Sequence, residues 1–116
     1  MVMVRYDLEE RTLEFGKRIL HFCKALPGNT INWKLIDQLV RSGTSVGANY
    51  REANETQTKK EFRFRIRICR KEAKETLYWL QLILEINPSF SNRVQLLLKE
   101  NEELLKIFAA IVQKAE

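Results

Sequence analysis

The chain has 116 residues, two of them cysteines, and carries a net charge of +5. A chain of this length folds as one domain around one hydrophobic core and needs neither disulfides nor a structural metal to do so. The hydrophobic fraction of 45% and the charged fraction of 30% are those of a globular protein, and four glycines and two prolines leave little room for a turn-rich β architecture, so helices are favoured.

No segment predicts a membrane anchor or a secretory signal. The longest stretches without a charge, residues 76–84 among them, have nine residues, which is less than half of what a bilayer crossing requires. The N-terminal residues become acidic at Asp7, where a signal peptide would become apolar. We therefore expect a cytoplasmic protein.

The two cysteines, Cys23 and Cys69, are isolated in the sequence. They lack a Cys-x-x-Cys spacing, and His21 is the only other soft ligand, so the pattern predicts neither a disulfide framework nor a zinc site. We expect two buried thiols, no bound metal and no other cofactor.

Apolar residues recur at three- and four-residue spacing in four segments, which predicts four amphipathic helices in a single domain spanning residues 1–116. The predicted helices cover about residues 7–26, 32–54, 58–86 and 91–114. The first is expected to begin with Asp7 and Glu10 as a capping box. Its predicted apolar face consists of Leu8, Phe15, Ile19, Phe22 and Leu26, widened by Leu13, Leu20 and Cys23. That of the second consists of Trp33, Ile36, Leu39, Val40, Gly43, Val46, Gly47 and Tyr50.

The third segment contains one ambiguity, because residues 62–68 alternate apolar and basic side chains as a strand would. A helical seam nevertheless continues through them, and an isolated strand among helices would have no pairing partner. We therefore predict a helix whose buried seam is Phe62, Ile66, Cys69, Ala73, Thr76, Leu80 and Ile83. In the fourth segment Asn101 is the one polar member of the seam, a kind of residue that can fix register.

The boundary between the second and third helices carries neither Gly nor Pro at residues 54–57. A continuous helix over residues 33–86 would be about 80 Å long, which is too long for one compact domain of this size. We place a turn there, with Thr58 and Glu61 as a capping box for the restart. Four helices with short connections predict an all-α fold, an up-and-down antiparallel four-helix bundle.

Residues 41–50 place two glycines inside a predicted helix, and each glycine costs about 1 kcal/mol relative to alanine there. A phosphate-binding loop does not explain them, because the Gly-Lys-Ser/Thr ending and a preceding strand are absent. Close helix packing explains them better, since Gly43 and Gly47 lie one turn apart beside Ser42, Ser45 and Ala48. The sequence leaves open whether the approaching helix belongs to the same chain or to another subunit.

Positive charge is concentrated in residues 51–74. This segment contains nine Lys or Arg and four Glu, so its net charge of +5 equals that of the whole chain. Four of the cations lie at i, i+4, i+7 and i+11 of the third helix and so share one face. This basic stripe consists of Arg63, Arg67, Arg70 and Lys74, bordered by Lys59, Lys60 and Lys71.

The basic stripe has two readings. It is either a solvated face partly neutralised by Glu52, Glu72 and Glu75, or a surface that binds the phosphates of a nucleic acid. The local charge excess and the preference for Arg, whose planar fork matches phosphate, favour nucleic acid. With Phe62 assigned to the core, no aromatic residue for base stacking is evident, so we expect recognition of backbone or shape.

Three runs of the sequence resemble the family of four-helix bundle proteins typified by the 23S rRNA-intervening sequence protein. They are residues 41–53 (RSGTSVGANYREA), residues 59–62 (KKEF) and residues 71–76 (KEAKET), the last leading to Tyr78-Trp79-Leu80. The resemblance implies an open barrel of five identical subunits without catalytic residues. The family includes the accessory variability determinant of diversity-generating retroelements, which implies RNA or DNA and a reverse transcriptase as partners, while other members are encoded within ribosomal RNA insertions.

The alternative hypothesis from a different functional class is that the protein is an enzyme, and the residue content argues against it. His21 is the only histidine, so Glu-x-x-His metal pairs cannot form and any Ser/His or Cys/His pair would have to use His21. The adjacent pairs Glu9/Glu10 and Glu102/Glu103 point to different sides of a helix. We predict a non-enzymatic homo-oligomer that binds nucleic acid, and an oligomeric protein–protein adapter stays open as the alternative.

Overall fold

In a computed structural model of the protein, which describes residues 2–115 and the side chains of residues 8–114, the chain forms four long α-helices. They are α1 (Val2–Ala25), α2 (Thr30–Asn54), α3 (Lys59–Ile86) and α4 (Ser91–Ala115), and a short 3₁₀ turn at Pro88–Phe90 precedes α4. The molecule is elongated, with extents of 45 × 22 × 19 Å. Within the described residues no strand occurs, so the alternating segment at residues 62–68 is helical, as predicted.

Local hydrogen bonds determine where the helices start. Asn29 caps α2 by accepting a hydrogen bond from the backbone N–H of Asn32, and Thr58 caps α3 by accepting one from Glu61 at 3.1 Å. The predicted turn before Thr58 is therefore confirmed. The predicted start of the first helix at Asp7 is wrong, because α1 already begins at Val2; the side chain of Asp7 lies outside the described residues.

Contacts between specific residues show that neighbouring helices run antiparallel. Gly43 and Gly47 of α2 face Ile19 and Thr12 of α1 in reverse order. Asn32 and Asn49 of α2 bond to Asn87 and Arg65, again in reverse order along α3. Asn101 of α4 bonds to Ala73 of α3 across the short connection at residues 87–90, which requires α4 to run back along α3. The α2–α3 contact is the most extensive and the α1–α4 contact, which closes the bundle, is the least. The predicted fold class, an up-and-down antiparallel four-helix bundle, is confirmed.

The core follows the predicted seams closely on α3, where six of the seven seam residues are buried and Phe62 is half-buried. Trp33, predicted to face inward, is instead 60% exposed. At that turn of α2 the neighbouring residue, Asn32, points inward instead. The side-chain amide of Asn32 donates a hydrogen bond to Asn87 at 3.0 Å and accepts one from it at 2.9 Å. Since successive helical residues are rotated by about 100°, Trp33 points away and lies against Gly28.

The α1 face is also narrower than predicted, because Leu13 and Leu20 are exposed. Both lie opposite the buried side of the helix that carries Phe15 and Phe22. Helical periodicity accounts for this, because Leu13 and Leu20 each precede an inward phenylalanine by two residues, about 200° of rotation, and α1 has only α2 and α4 as neighbours.

Gly43 and Gly47 bring α2 close to α1 of the same chain. A Cβ atom placed on Gly43 would lie 3.0 Å from Cγ1 of Ile19, and one placed on Gly47 would lie 3.0 Å from Oγ1 of Thr12 and 3.4 Å from its backbone carbonyl carbon. The contact is thus intramolecular at both glycines. Of their small neighbours, Ser42 is buried against Thr76 of α3, Ser45 is half-buried, and Ala48 is exposed.

We expect Gly47→Leu to lower the free energy of unfolding by about 1 to 3 kcal/mol, because the larger side chain would push α1 away from α2. Urea unfolding measures the loss, and gel filtration reports any change in assembly. Ala48→Leu is the matched control, since Ala48 is exposed on the next residue of the same helix and should change stability little. Equal stability of Gly47→Leu and the parent would contradict the packing role.

Both cysteines are buried free thiols, as the sequence predicts. Burial raises the pKa of Cys23 to about 11 and that of Cys69 to about 12. Because the thiolate is the reactive form, neither thiol should be reactive near neutral pH.

We expect a thiol-reactive disulfide reagent at pH 8 to modify both cysteines far more slowly in the native protein than in urea.

The folded pKa values lie above the unfolded value of about 8.5. The stability linked to these protons is therefore fully present below about pH 8.5 and is lost as the pH rises through 11 to 12. Labelling kinetics and urea unfolding at several pH values check both points; rapid labelling of the native protein at pH 8 would contradict them.

Candidate nucleic-acid interface

The basic stripe lies on the side of α3 that the buried seam leaves uncovered. Five of its seven basic and bordering side chains are exposed, and Arg63 and Arg70 are half-buried. Arg63 and Arg67 each have an interaction partner within the protein. In the described part of the chain, no hydrogen bond or ion pair is found for Lys59, Arg70, Lys71 or Lys74. These four cations are therefore available to an external anion.

Glu72 and Glu75, which could neutralise the basic stripe, interact instead with Arg41 of α2. Glu72 accepts a hydrogen bond from Nη1 of Arg41 at 3.1 Å, and Glu75 forms an ion pair with Nη2 of the same guanidinium. Glu75 also accepts a hydrogen bond from the indole N–H of Trp79 at 3.0 Å. Since Arg41 belongs to α2, both carboxylates are turned toward the α2–α3 contact and away from the basic stripe.

Lys60 is the exception among the bordering residues. It lines a cavity of about 510 Å³ at the α2–α3 turn together with Glu52, Glu55 and Glu61. Three carboxylates therefore share this cavity with the cations Lys60 and Arg65.

Two exposed aromatic side chains accompany the basic stripe along α3. Phe64 is 59% exposed and Tyr78 is 53% exposed, and the ring of Tyr78 packs edge-on against Trp79 at 5.0 Å between centroids. Sequence reasoning placed Phe64 off the buried seam but missed Tyr78. Their spacing of 14 residues, close to four helical turns, is the signal that places them on one side of the helix.

The role of Arg41 was also missed by sequence reasoning. Nothing in the spacing signals its contact with Glu72, because the two residues are 31 positions apart on different helices. Only the packing of α2 on α3 brings them together, and this contact decides how much net charge the basic stripe presents.

Among the described residues, no hydrogen bond joins His21, a cysteine and a carboxylate. His21 is exposed on α1, both thiols are buried, and Glu9 accepts a hydrogen bond from Asn54 at 2.7 Å. Across residues 8–114, no three His, Cys, Asp or Glu side chains are grouped so that they could hold a metal ion. No helix in the part of the chain searched is both long and apolar enough to span a membrane.

The fold defines the protein as an antiparallel four-helix bundle whose distinctive surface is the cationic side of its third helix. The chain belongs to the 23S rRNA-intervening sequence protein family, whose model matches residues 6–110.

A solved structure supports this assignment. It is a protein from Bacteroides thetaiotaomicron VPI-5482, described as a protein with unknown function from the S23 ribosomal protein family. It is 31% identical in sequence, the match covers 94% of this chain and 97% of that chain, and the TM-score is 0.86. No curated protein matches the sequence.

Proposed function

We propose that the protein is a non-enzymatic cytoplasmic homo-oligomer, a pentamer, that binds RNA or DNA through the basic stripe. The observation that carries the proposal is the ion pairing of Glu72 and Glu75 with Arg41. Because those carboxylates are engaged on the α2 side, the charge of Arg70, Lys71 and Lys74 is not cancelled by the acids nearest to them in sequence.

Phosphate contacts are the form of binding that this surface supports. Arg and Lys neutralise phosphates and release counterions, and this term does not depend on base sequence. A ring of subunits would present the same helix side several times, so a weak contact per subunit would gain strength through avidity.

Self-association is supported by apolar side chains that one bundle leaves uncovered. Phe64 of α3 is 59% exposed, and Leu13 and Leu20 of α1, which are 41% and 44% exposed, line one groove between α1 and α2. Contiguous exposed apolar surface on a small domain marks an interaction site. The number of five subunits rests on the resemblance to the family.

The family resemblance supports two settings for such binding. One is an accessory role beside a reverse transcriptase, and the other is a link to an insertion in ribosomal RNA. The protein–protein adapter remains the second candidate, because Phe64 and Tyr78 beside the cations would also suit an acidic protein partner.

We expect the protein to bind a short RNA or DNA of arbitrary sequence at low salt, with affinity falling steeply as salt is added. If each subunit engages about two phosphates and part of the ring contacts the ligand, the log–log salt slope should be on the order of −4 or steeper. Fluorescence anisotropy titrations at several salt concentrations measure the slope.

The double variant Arg70→Glu/Lys74→Glu should weaken binding to all sequences alike and leave the oligomer size unchanged. These positions are chosen because neither cation has a partner among the described side chains. The control, Lys24→Glu/Lys34→Glu, makes the same change in net charge at two exposed lysines of α1 and α2. Equal binding by the stripe variant, or no binding by the parent at low salt, would refute nucleic-acid binding through the stripe and favour the adapter.

We expect multi-angle light scattering to give the mass of a pentamer at micromolar concentration, about five times the chain mass of 13.7 kDa. Phe64→Glu should reduce that mass, because it places a charge on apolar surface that a neighbouring subunit would cover. Tests of unfolding in urea separate loss of assembly from loss of fold. A monomeric parent would contradict the oligomer.

A further inference from the structure

The groove between α1 and α4 is electrostatically different at its two ends. At one end Arg11 of α1 bonds to Glu100 of α4 at 2.7 and 2.9 Å and to Glu103 at 2.6 Å, so one positive charge there meets two negative charges. Two turns further along α1 the groove opens into a cavity of about 180 Å³. It is lined by Arg18, His21, Phe22, Arg93, Leu96 and Leu97.

The two arginines at this cavity lack acidic partners. Among the described side chains, no hydrogen bond or ion pair is found for Arg18 or Arg93, or for the imidazole of His21. Glu14, one turn before Arg18, is engaged with Lys17 at 3.1 Å. Arg93 lies in the first turn of α4, where the helix dipole adds a partial positive charge. The lining of the cavity therefore contains two guanidinium groups and no carboxylate.

Packing holds one of these guanidinium groups in place. Arg93 lies over the ring of Phe22, 5.6 Å from its centroid, and that ring packs edge-on against Phe90 at 6.1 Å. A cation held against an aromatic floor loses little further freedom when it binds an anion, and the apolar wall of Leu97 strengthens electrostatic attraction at the site. The two arginines come from different helices, so an anion between them would also draw α1 and α4 together.

We propose that the cavity between α1 and α4 binds a phosphomonoester group through Arg18, His21 and Arg93. Two guanidinium forks suit the oxygens of a doubly charged phosphate, and the imidazole N–H supplies one more donor. The apolar floor of Phe22, Leu96 and Leu97 suits the body of the molecule that carries the phosphate. This site is separate from the basic stripe of α3, and neither depends on the other.

Isothermal titration calorimetry with a nucleoside 5′-monophosphate tests the proposal on the full-length protein, and the corresponding nucleoside is the ligand control. The parent should bind the monophosphate and not the nucleoside. Arg18→Gln/Arg93→Gln should weaken binding about a hundredfold, since a charge-assisted hydrogen bond is worth about tenfold or more.

Two further single variants distinguish loss of the binding site from loss of the fold. His21→Gln leaves the contact between Arg93 and Phe22 intact and should weaken binding by a smaller factor, about threefold to tenfold. Lys24→Gln removes a positive charge from the exposed part of the same helix and should bind like the parent.

The source of the phosphate is decided with oligonucleotides that carry either a 5′-phosphate or a 5′-hydroxyl. About tenfold tighter binding of the phosphorylated oligonucleotide, lost in Arg18→Gln/Arg93→Gln, would identify a nucleic-acid end. Monophosphate binding without that difference would identify a small molecule. Both outcomes support the site.

The proposal is overturned if the parent binds neither the monophosphate nor the 5′-phosphate in preference to its control, or if Arg18→Gln/Arg93→Gln binds as the parent does. The variant Arg70→Glu/Lys74→Glu should retain monophosphate binding. A failure of the basic stripe would instead appear as loss of binding to the 5′-hydroxyl oligonucleotide, so the two results are distinguishable.

Discussion

The burial of one seam of α3 is the constraint on which the rest of the structure depends. Six residues from Ile66 to Ile83 lose all their exposure between α2 and α4. Burying the three large aliphatic side chains, Ile66, Leu80 and Ile83, is worth about 1.5 to 3 kcal/mol each, so α3 cannot rotate about its axis without a large loss of stability. This fixed orientation turns the basic stripe outward. The exposed charge of the protein is thus a direct consequence of how its core packs.

The α2–α3 contact also determines where two acidic side chains of α3 point. Arg41 draws Glu72 and Glu75 to one side of α3, and the buried hydroxyls of Ser42 and Thr76 bond at 2.9 Å beneath them. On its other side α2 meets α1 through Gly43 and Gly47, where there is no room for a larger side chain. Ser42, Gly43 and Gly47 of α2 therefore contribute to two helix contacts within one chain. Gly43 and Gly47 allow a close contact with α1, and Ser42 forms a hydrogen bond with Thr76 of α3.

The α1–α4 contact is the least extensive between neighbouring helices of the bundle, and its two ends differ in charge. Arg11 closes one end with two glutamates, whereas Arg18 and Arg93 face the opposite end without a carboxylate. Like charges on facing helices oppose their approach, so a bound anion would stabilise the native bundle as well as occupy the site. The molecule therefore offers two cationic surfaces of different character, one extended along α3 and one confined to a groove.

The sequence by itself determined the number of helices, the turn before Thr58, the buried seam of α3, the buried thiols and the grouping of most cations on one helix side. Each of these follows from local periodicity or capping, which act within a few residues. Only the tertiary structure decided that Gly47 packs on Thr12 of the same chain and that Lys60 shares a cavity with Glu52, Glu55 and Glu61. It also decided the pairing of Arg41 with Glu72 and the meeting of Arg18 with Arg93. Those contacts join residues far apart in the chain, and their positions depend on how each helix is rotated against its neighbours, which periodicity does not specify.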